Sequence, residues 1–347
     1  MAGERRDEGS GRWVVVGLDN GGSANNGTVL DGAGRFLVDR LVETPSCVGE
    51  GPDAGIEALA RAFDQVLAVA GVPAGSVRAV GLATPGPASS EGVLSSRGAT
   101  NFSSPPWWGF DIRSATEDRL GLPVVYSNDG NAAALYAHHR HFGSRAGQAS
   151  SVSAIVGTGL GGGVIESGQV VRGATGAAGE LGHVSIPMQG LLEGGQPVPR
   201  CNCGLEADVE SVASLSGIEN NLLPYWLTRF EGHDLATTGS TAKAARLVRS
   251  YAERRDPLAL KVFGQQAMAL GRLFSIAANF TDPDAYLVGG GVVETTSELR
   301  EWFLAKVAEH TVLREEQSRR AVLALVPELD MAGARGAALA ALSRLGP

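Results

Sequence analysis

Cysteine is scarce in this chain of 347 residues, which carries only Cys47, Cys201 and Cys203. Three thiols make no disulfide framework, so the expected setting is reduced and cytoplasmic. Long apolar runs are missing too. None approaches the ~20 residues of a membrane span, and no membrane partner is expected. The opening MAGERRDEGSGR lacks the apolar core of a signal peptide and reads as a disordered tail over residues 1–12. Positive charge is short as well, with a formal net charge of -8. That disfavours a general nucleic-acid binder, whose phosphate contacts need a basic face. A phosphate-bearing small molecule stays open, because backbone N–H groups can hold it. There is no G-x-x-x-x-G-K-[ST], which excludes a P-loop enzyme.

Glycine is abundant, at 48 residues, and it comes in clusters. Clustered glycine marks turns and close backbone approaches. Residues 13–18 read as a strand, 28–31 as a second strand ending in a hairpin turn, and 36–38 as the returning third strand. Residues 55–70 have helical periodicity, and 77–82 form another buried strand. A short helix over 112–120, a strand over 123–126 and an alanine-rich helix over 130–141 follow. The design then restarts: strand 152–156, a glycine cluster, and strand residues 164–165. From Ser216 onward the chain is mostly helical, with long helices at 241–251 and 257–280. Strands at 284–288 and 322–326 and a closing helix at 332–345 complete the reading. Alternating strands and helices argue for α/β layers. The expected domains are 13–127, to which the closing helix returns, and 128–331.

Three strands run into glycine, at 19–22, 157–163 and 289–291. Each alone is an ordinary turn signal. Three in one α/β chain point to a ligand crevice at strand ends, where turn amides make anion-binding concavities. Gly157 to Gly162 nearly imitates G-x-G-x-x-G, but it leads into a strand, which argues against a dinucleotide fold. Ser127-Asn128-Asp129-Gly130-Asn131 lies between a strand and a helix. Read plainly, it is a helix cap. Read chemically, Asp129 is a general base, ionised near a helix N-terminus and able to take a proton from an attacking hydroxyl. His183, Cys201 and Cys203 stand close in sequence and form a zinc signal lacking an obvious fourth ligand. Asp208 is the nearest candidate, with Glu206 and Glu210 as neighbours; two free thiols and a hydrogen-bonded histidine are the plain alternative.

Together these segments resemble the ROK family of sugar kinases, repressors and open reading frames, from about residue 13 to the end. The resemblance implies a two-domain α/β fold of the actin/hexokinase (ribonuclease H-like) type, with a nucleotide and sugar cleft between the domains. Asp19-x-Gly21-Gly22 and Gly157-Thr158-Gly159-x-Gly161-Gly162-Gly163 resemble its two phosphate motifs. Asn128 to Ala133 resembles the catalytic segment, and Glu180-x-Gly182-His183 the sugar signature. Cys201-x-Cys203-Gly204 resembles the start of the zinc motif, and Gly289-Gly290-Gly291 the adenosine motif. The resemblance implies Asp129 as base and Asn101, Asn128, Glu180, His183 and Glu210 as further sugar ligands. It implies Asp19 near magnesium, with Gly21, Gly22, Ser23, Thr158 and Gly159 along the phosphates of ATP. His183, Cys201, Cys203 and Asp208 would hold zinc, and the oligomer would be a homodimer.

Two departures stand out. The family's zinc motif reads C-x-C-G-x-x-G-C-x-E, whereas here Ala207 replaces the glycine and Asp208 the third cysteine. A carboxylate can ligate zinc, so Cys₂-His-Asp is chemically reasonable. The first phosphate motif continues as Ser23-Ala24-Asn25-Asn26 instead of Thr-Lys and apolar strand residues. The expected activity is ATP-dependent phosphorylation of a hexose, glucose first. Another hexose, an amino sugar, a cyclitol, or a non-catalytic sugar sensor of the same fold are the alternatives. A family repressor is not expected, since only a dozen residues precede the first phosphate strand.

Overall fold

The computed structural model of the protein describes residues 13–86, 88–95 and 101–346. The tail over 1–12 lies outside the described residues. The chain divides into two compact units, one of residues up to 132 with 174–177 and 330 onward, the other of 133–173 and 178–329.

The first unit is built on one five-stranded sheet. Its strands are β1 (Val14–Asn20), β2 (Ala24–Asp31), β3 (Glu43–Pro45), β4 (Val77–Thr84) and β5 (Val124–Asn128), in the order β3-β2-β1-β4-β5. β1 and β2 form an antiparallel hairpin, and β4 and β5 continue parallel to β1. Val14, Val16 and Leu18 of β1 face a core with Ile56, Leu59, Phe63 and Val66 of helix α1 (Pro52–Ala70). Period-2 alternation sends Gly17 to the opposite face. A Cβ there would meet the Ala334 carbonyl oxygen at 2.0 Å, and one on Gly81 of β4 would meet that of Ala337 at 1.9 Å. Two glycines therefore let the last helix lie directly on the sheet. Helix α2 (Ile112–Leu120) is capped by Asp111, which accepts the Ser114 N–H at 2.8 Å.

The expected third strand at 36–38 is corrected. Only one bridge, Leu30 to Phe36, forms there, and Glu43–Pro45 is the strand that pairs with β2. β2 itself begins at Ala24, four residues before the expected start, because pairing with β1 carries the hairpin through Asn25 and Asn26.

The second unit repeats the design with β6 (Ser151–Val156), β7 (Leu160–Glu166), β8 (Gln169–Val170), β9 (Ala285–Gly290) and β10 (Val322–Val326), in the order β10-β9-β6-β7-β8. Here too an antiparallel hairpin, β6–β7, is extended by parallel strands. Helix α3 (Asp129–Phe142) spans the division, which falls after Ala132. The remaining helices are α4 (Glu210–Ala213), α5 (Leu215–Gly217), α6 (Leu223–Arg229), α7 (Thr241–Glu253), α8 (Pro257–Thr281), α9 (Ser297–Glu309), α10 (Glu315–Ser318) and the closing α11 (Ala332–Leu345). α8 starts with Pro257 after the Asp256 cap and packs Phe263, Leu270 and Phe274 into the core with Val152 and Ala154 of β6. α11 belongs to the first unit and lies against β1 and β4.

Candidate active site

In the first unit the turn Gly21-Gly22-Ser23 joins β1 to β2. The Gly21 N–H closes it on the Ala24 carbonyl at 2.9 Å. Ser46 secures its carbonyls: its hydroxyl donates to Gly22 O at 2.9 Å and its N–H to Ser23 O at 3.1 Å. The N–H groups of Gly22 and Ser23 meet no acceptor among the described residues, which is what an anion-binding turn presents. Asn101 lies on this turn, since a Cβ on Gly22 would be 2.5 Å from its Oδ1. Behind the turn, Asn20 Nδ2 donates to Asn25 Oδ1 at 2.5 Å, and both amides are buried.

Asp19 points to the α11 face. Gly333, in the first turn of α11, makes room for it; a Cβ there would be 2.3 Å from Asp19 Oδ2. Burial pushes the Asp19 carboxyl up to about 7, and the negative charge of Asp129 adds to that. A positive charge between the two carboxylates would reverse that shift. Asn128 ends β5 and caps α3: its Oδ1 accepts the N–H of Gly130 at 2.8 Å and of Asn131 at 3.4 Å. The cap therefore falls to Asn128. Asp129 is the first residue of α3, and its Oδ1 meets the Gly130 N–H at 2.7 Å.

In the second unit the turn Gly157-Thr158-Gly159 joins β6 to β7. Leu215 N–H donates to Gly157 O and Ser216 N–H to Thr158 O, each at 3.0 Å. The Leu160 N–H donates to Glu210 Oε2 at 2.7 Å, and a Cβ on Gly159 would lie 2.6 Å from that oxygen. Carbonyls are tied down, while the Thr158 and Gly159 N–H groups meet no acceptor among the described residues. Beside the turn is a cavity of about 320 Å³, with Leu215, Ile218, Phe263 and Val292 as apolar wall and Arg246 and Arg249 at its edge. Of the three late glycines only Gly291 lines this cavity. Gly290 serves the backbone, with φ of 84° and Val156 O 2.4 Å from where a Cβ would stand. Gly289 packs on Leu329. Sequence reading missed Arg246 and Arg249; their spacing of three on α7 puts both on one helix face and was the available signal.

His183, Cys201, Cys203 and Asp208 come together, with ligand atoms all within 4.8 Å of one another. His183 Nδ1 is 3.3 Å from Asp208 Oδ2, 3.5 Å from Cys203 Sγ and 3.9 Å from Cys201 Sγ, and Cys203 Sγ is 3.8 Å from Asp208 Oδ2. Ordinary zinc bond lengths in a tetrahedron give edges of about 3.3 Å for N to O and about 3.6 Å for S to N or O. The four groups are therefore compatible with a zinc site. Glu206 is elsewhere, paired with Arg200 at 2.7 Å. Hydrogen bonding to Asp208 pushes the His183 imidazole up to about 9, with burial opposing. Glu180 precedes this cluster; burial raises its carboxyl, His183 opposes and Glu210 adds. Ala207, where the family has glycine, sits at φ of 60°, a conformation costly for a side chain.

A glucokinase of Halalkalibacterium halodurans is 31% identical over 285 residues, covering 82% of this chain and 81% of its own. The crystal structure of a ROK hexokinase from Thermus thermophilus superposes with a TM-score of 0.73 at 32% identity, over 96% of this chain and 99% of that one. A ROK family glucokinase from Streptomyces griseus, solved with glucose and AMPPNP, gives 0.69 at 27% identity over 96% and 100%. The fold is thus the actin/hexokinase-like α/β fold of those kinases. The ROK family model itself matches residues 15–344, and the chain belongs to the ROK family.

Proposed function

We propose that this chain is an ATP-dependent sugar kinase that transfers the γ-phosphoryl group to the primary hydroxyl of a hexose, glucose first. The observation that carries the reading is Asp129, a carboxylate fixed at a helix N-terminus and close enough to the half-buried Asp19 to raise its carboxyl. Asp129 takes the proton of the primary hydroxyl as that oxygen bonds to the γ-phosphorus. The bond from phosphorus to the β–γ bridging oxygen breaks, and ADP leaves. Asp19 stands near the magnesium of Mg-ATP. Gly21, Gly22, Ser23, Thr158 and Gly159 line the phosphates with backbone N–H groups, and the cavity beside Gly291 takes the adenosine. Asn101, Asn128, Glu180, His183 and Glu210 are the hydroxyl ligands. His183, Cys201, Cys203 and Asp208 would hold zinc, which in such a site would supply structural rigidity. Binding His183 through Nδ1 leaves Nε2 for the sugar.

A coupled ADP-release assay with Mg-ATP over a panel of hexoses, amino sugars and cyclitols tests this. Turnover on glucose supports the full reading. Turnover on another sugar alone keeps the kinase and moves specificity to the Asn25–Asn26 and Asp208 segments. A folded chain silent on every sugar overturns it in favour of a non-catalytic sensor.

A further inference from the structure

Asp208 is fully buried, and its two carboxylate oxygens have different neighbours. Oδ2 faces His183 Nδ1 and Cys203 Sγ, at 3.3 and 3.8 Å. Oδ1 turns away and accepts the Ser211 N–H at 2.8 Å, while the Asp208 carbonyl accepts the Ser211 hydroxyl at 2.7 Å. One side chain thus joins the metal cluster and fastens the short helix α4. The segment that follows reaches the Gly157–Gly159 turn at three points: Glu210 Oε2 on Leu160 N–H, Leu215 N–H on Gly157 O, and Ser216 N–H on Thr158 O. Close packing stiffens the segment. A Cβ on Gly217 would meet the Ser211 carbonyl oxygen at 2.7 Å, and one on Gly182 would meet that of Leu160 at 2.5 Å.

We propose that Asp208 is a positioning residue that couples the metal cluster to the phosphate turn, through the segment 208–216. This rests on the reading of Gly157–Gly159 as a nucleotide-phosphate turn. A cysteine here would put the metal and the Ser211 N–H on one and the same sulfur, a weak acceptor of the kind Cys201 Sγ offers the Cys203 N–H at 3.5 Å, whereas two separate atoms divide the tasks without competition. The carboxylate provides both atoms. Asp208 is therefore a device for binding the turn to the metal site through two separate atoms. Loss of zinc frees Oδ2, loosens the anchor of α4, and lets the turn amides drift from the geometry that receives phosphate.

The test uses the full chain, zinc-loaded and chelator-treated, with amide hydrogen exchange as readout. Zinc removal should speed exchange at Leu160, Leu215 and Ser216 by about tenfold or more. Asp208→Cys should retain zinc by elemental analysis, yet show faster exchange at Ser211 and Leu160 and about fivefold weaker binding of Mg-AMP-PNP by calorimetry. Exchange at the three turn amides that ignores zinc overturns the coupling, as does a chain that takes up no zinc. Zinc-loaded Asp208→Cys that binds nucleotide like the parent also overturns it. Should that variant fail to fold, the zinc comparison on the parent chain decides. A parent chain that binds no Mg-AMP-PNP sinks the phosphate-turn reading separately, while the exchange data still judge the mechanical link.

Discussion

Asn20 and Asn25 face each other across the first hairpin, and a single hydrogen bond between their side-chain amides joins them behind the Gly21–Ser23 turn. Thr44 stands opposite Asn25 on the next strand. Asn20 Oδ1, Asn25 Nδ2 and Thr44 Oγ1 are buried without partners among the described residues. Buried amides of this kind cost stability unless satisfied. Asn25→Val strands the Asn20 amide and should lower unfolding free energy by about 1–3 kcal/mol. Asn20→Val with Asn25→Val removes both polar groups and should recover most of that loss in urea titrations. Additive losses in the double variant would contradict the pairing. At this scale the sequence displayed the chemistry-bearing types well: Asp19, Asp129 and His183 are conspicuous against their neighbours. Gly333, which makes room for Asp19, was not legible, because its role arises from a tertiary contact that no local pattern encodes; of Arg246 and Arg249 the sequence displays only their shared helix face.

Two helices were readable to their ends, one capped by Asp111 and one rich in alanine. The spans 112–120 and 332–345 match α2 and α11 residue for residue. The third strand was misread because Phe36-Leu37-Val38 looks like a strand by composition, while the three-residue β3, Glu-Thr-Pro, does not. Edge pairing is decided by the chain path, not by propensity. Why α11 can lie on the first sheet was also hidden in the sequence. Gly17 and Gly81 leave no side chain beneath it, and a Cβ on Gly336 would stand 1.7 Å from Ala132 O of α3. Gly81→Ala must lift α11 from β4, because the obstacle is backbone. The expected loss is about 1–3 kcal/mol, seen as a lower urea midpoint. An unchanged midpoint would show that the contact is looser than described.

Across the whole molecule, two sheets share one strand plan, each opened by a hairpin whose turn carries glycine. That repeat was visible as strand, glycine cluster and strand in each half, although the two sequences differ. Global stability also carries a pH signature from α3. His138 is buried, with Nε2–H donating to Ala146 O and Nδ1 against the Ser151 hydroxyl, each at 2.8 Å. Burial lowers His138, and burial reinforced by His138 lowers His139 to about 4. The unfolded chain therefore binds more protons below the ordinary histidine value of about 6.5. These two histidines should each make stability fall as pH drops from about 6.5 toward 4, by up to about 1.4 kcal/mol per pH unit, against the Asp19 carboxyl, whose raised value acts in the opposite sense over the same window. His139→Gln should flatten that slope in chemical denaturation, and an unchanged slope would contradict the burial argument. The account of activity rests on Asp129. The most direct measurement compares Asp129→Asn with the parent chain in ADP release with Mg-ATP and glucose, alongside glucose binding by calorimetry. The account predicts turnover reduced by about 10³-fold or more with glucose affinity largely kept. Turnover close to the parent's would contradict it.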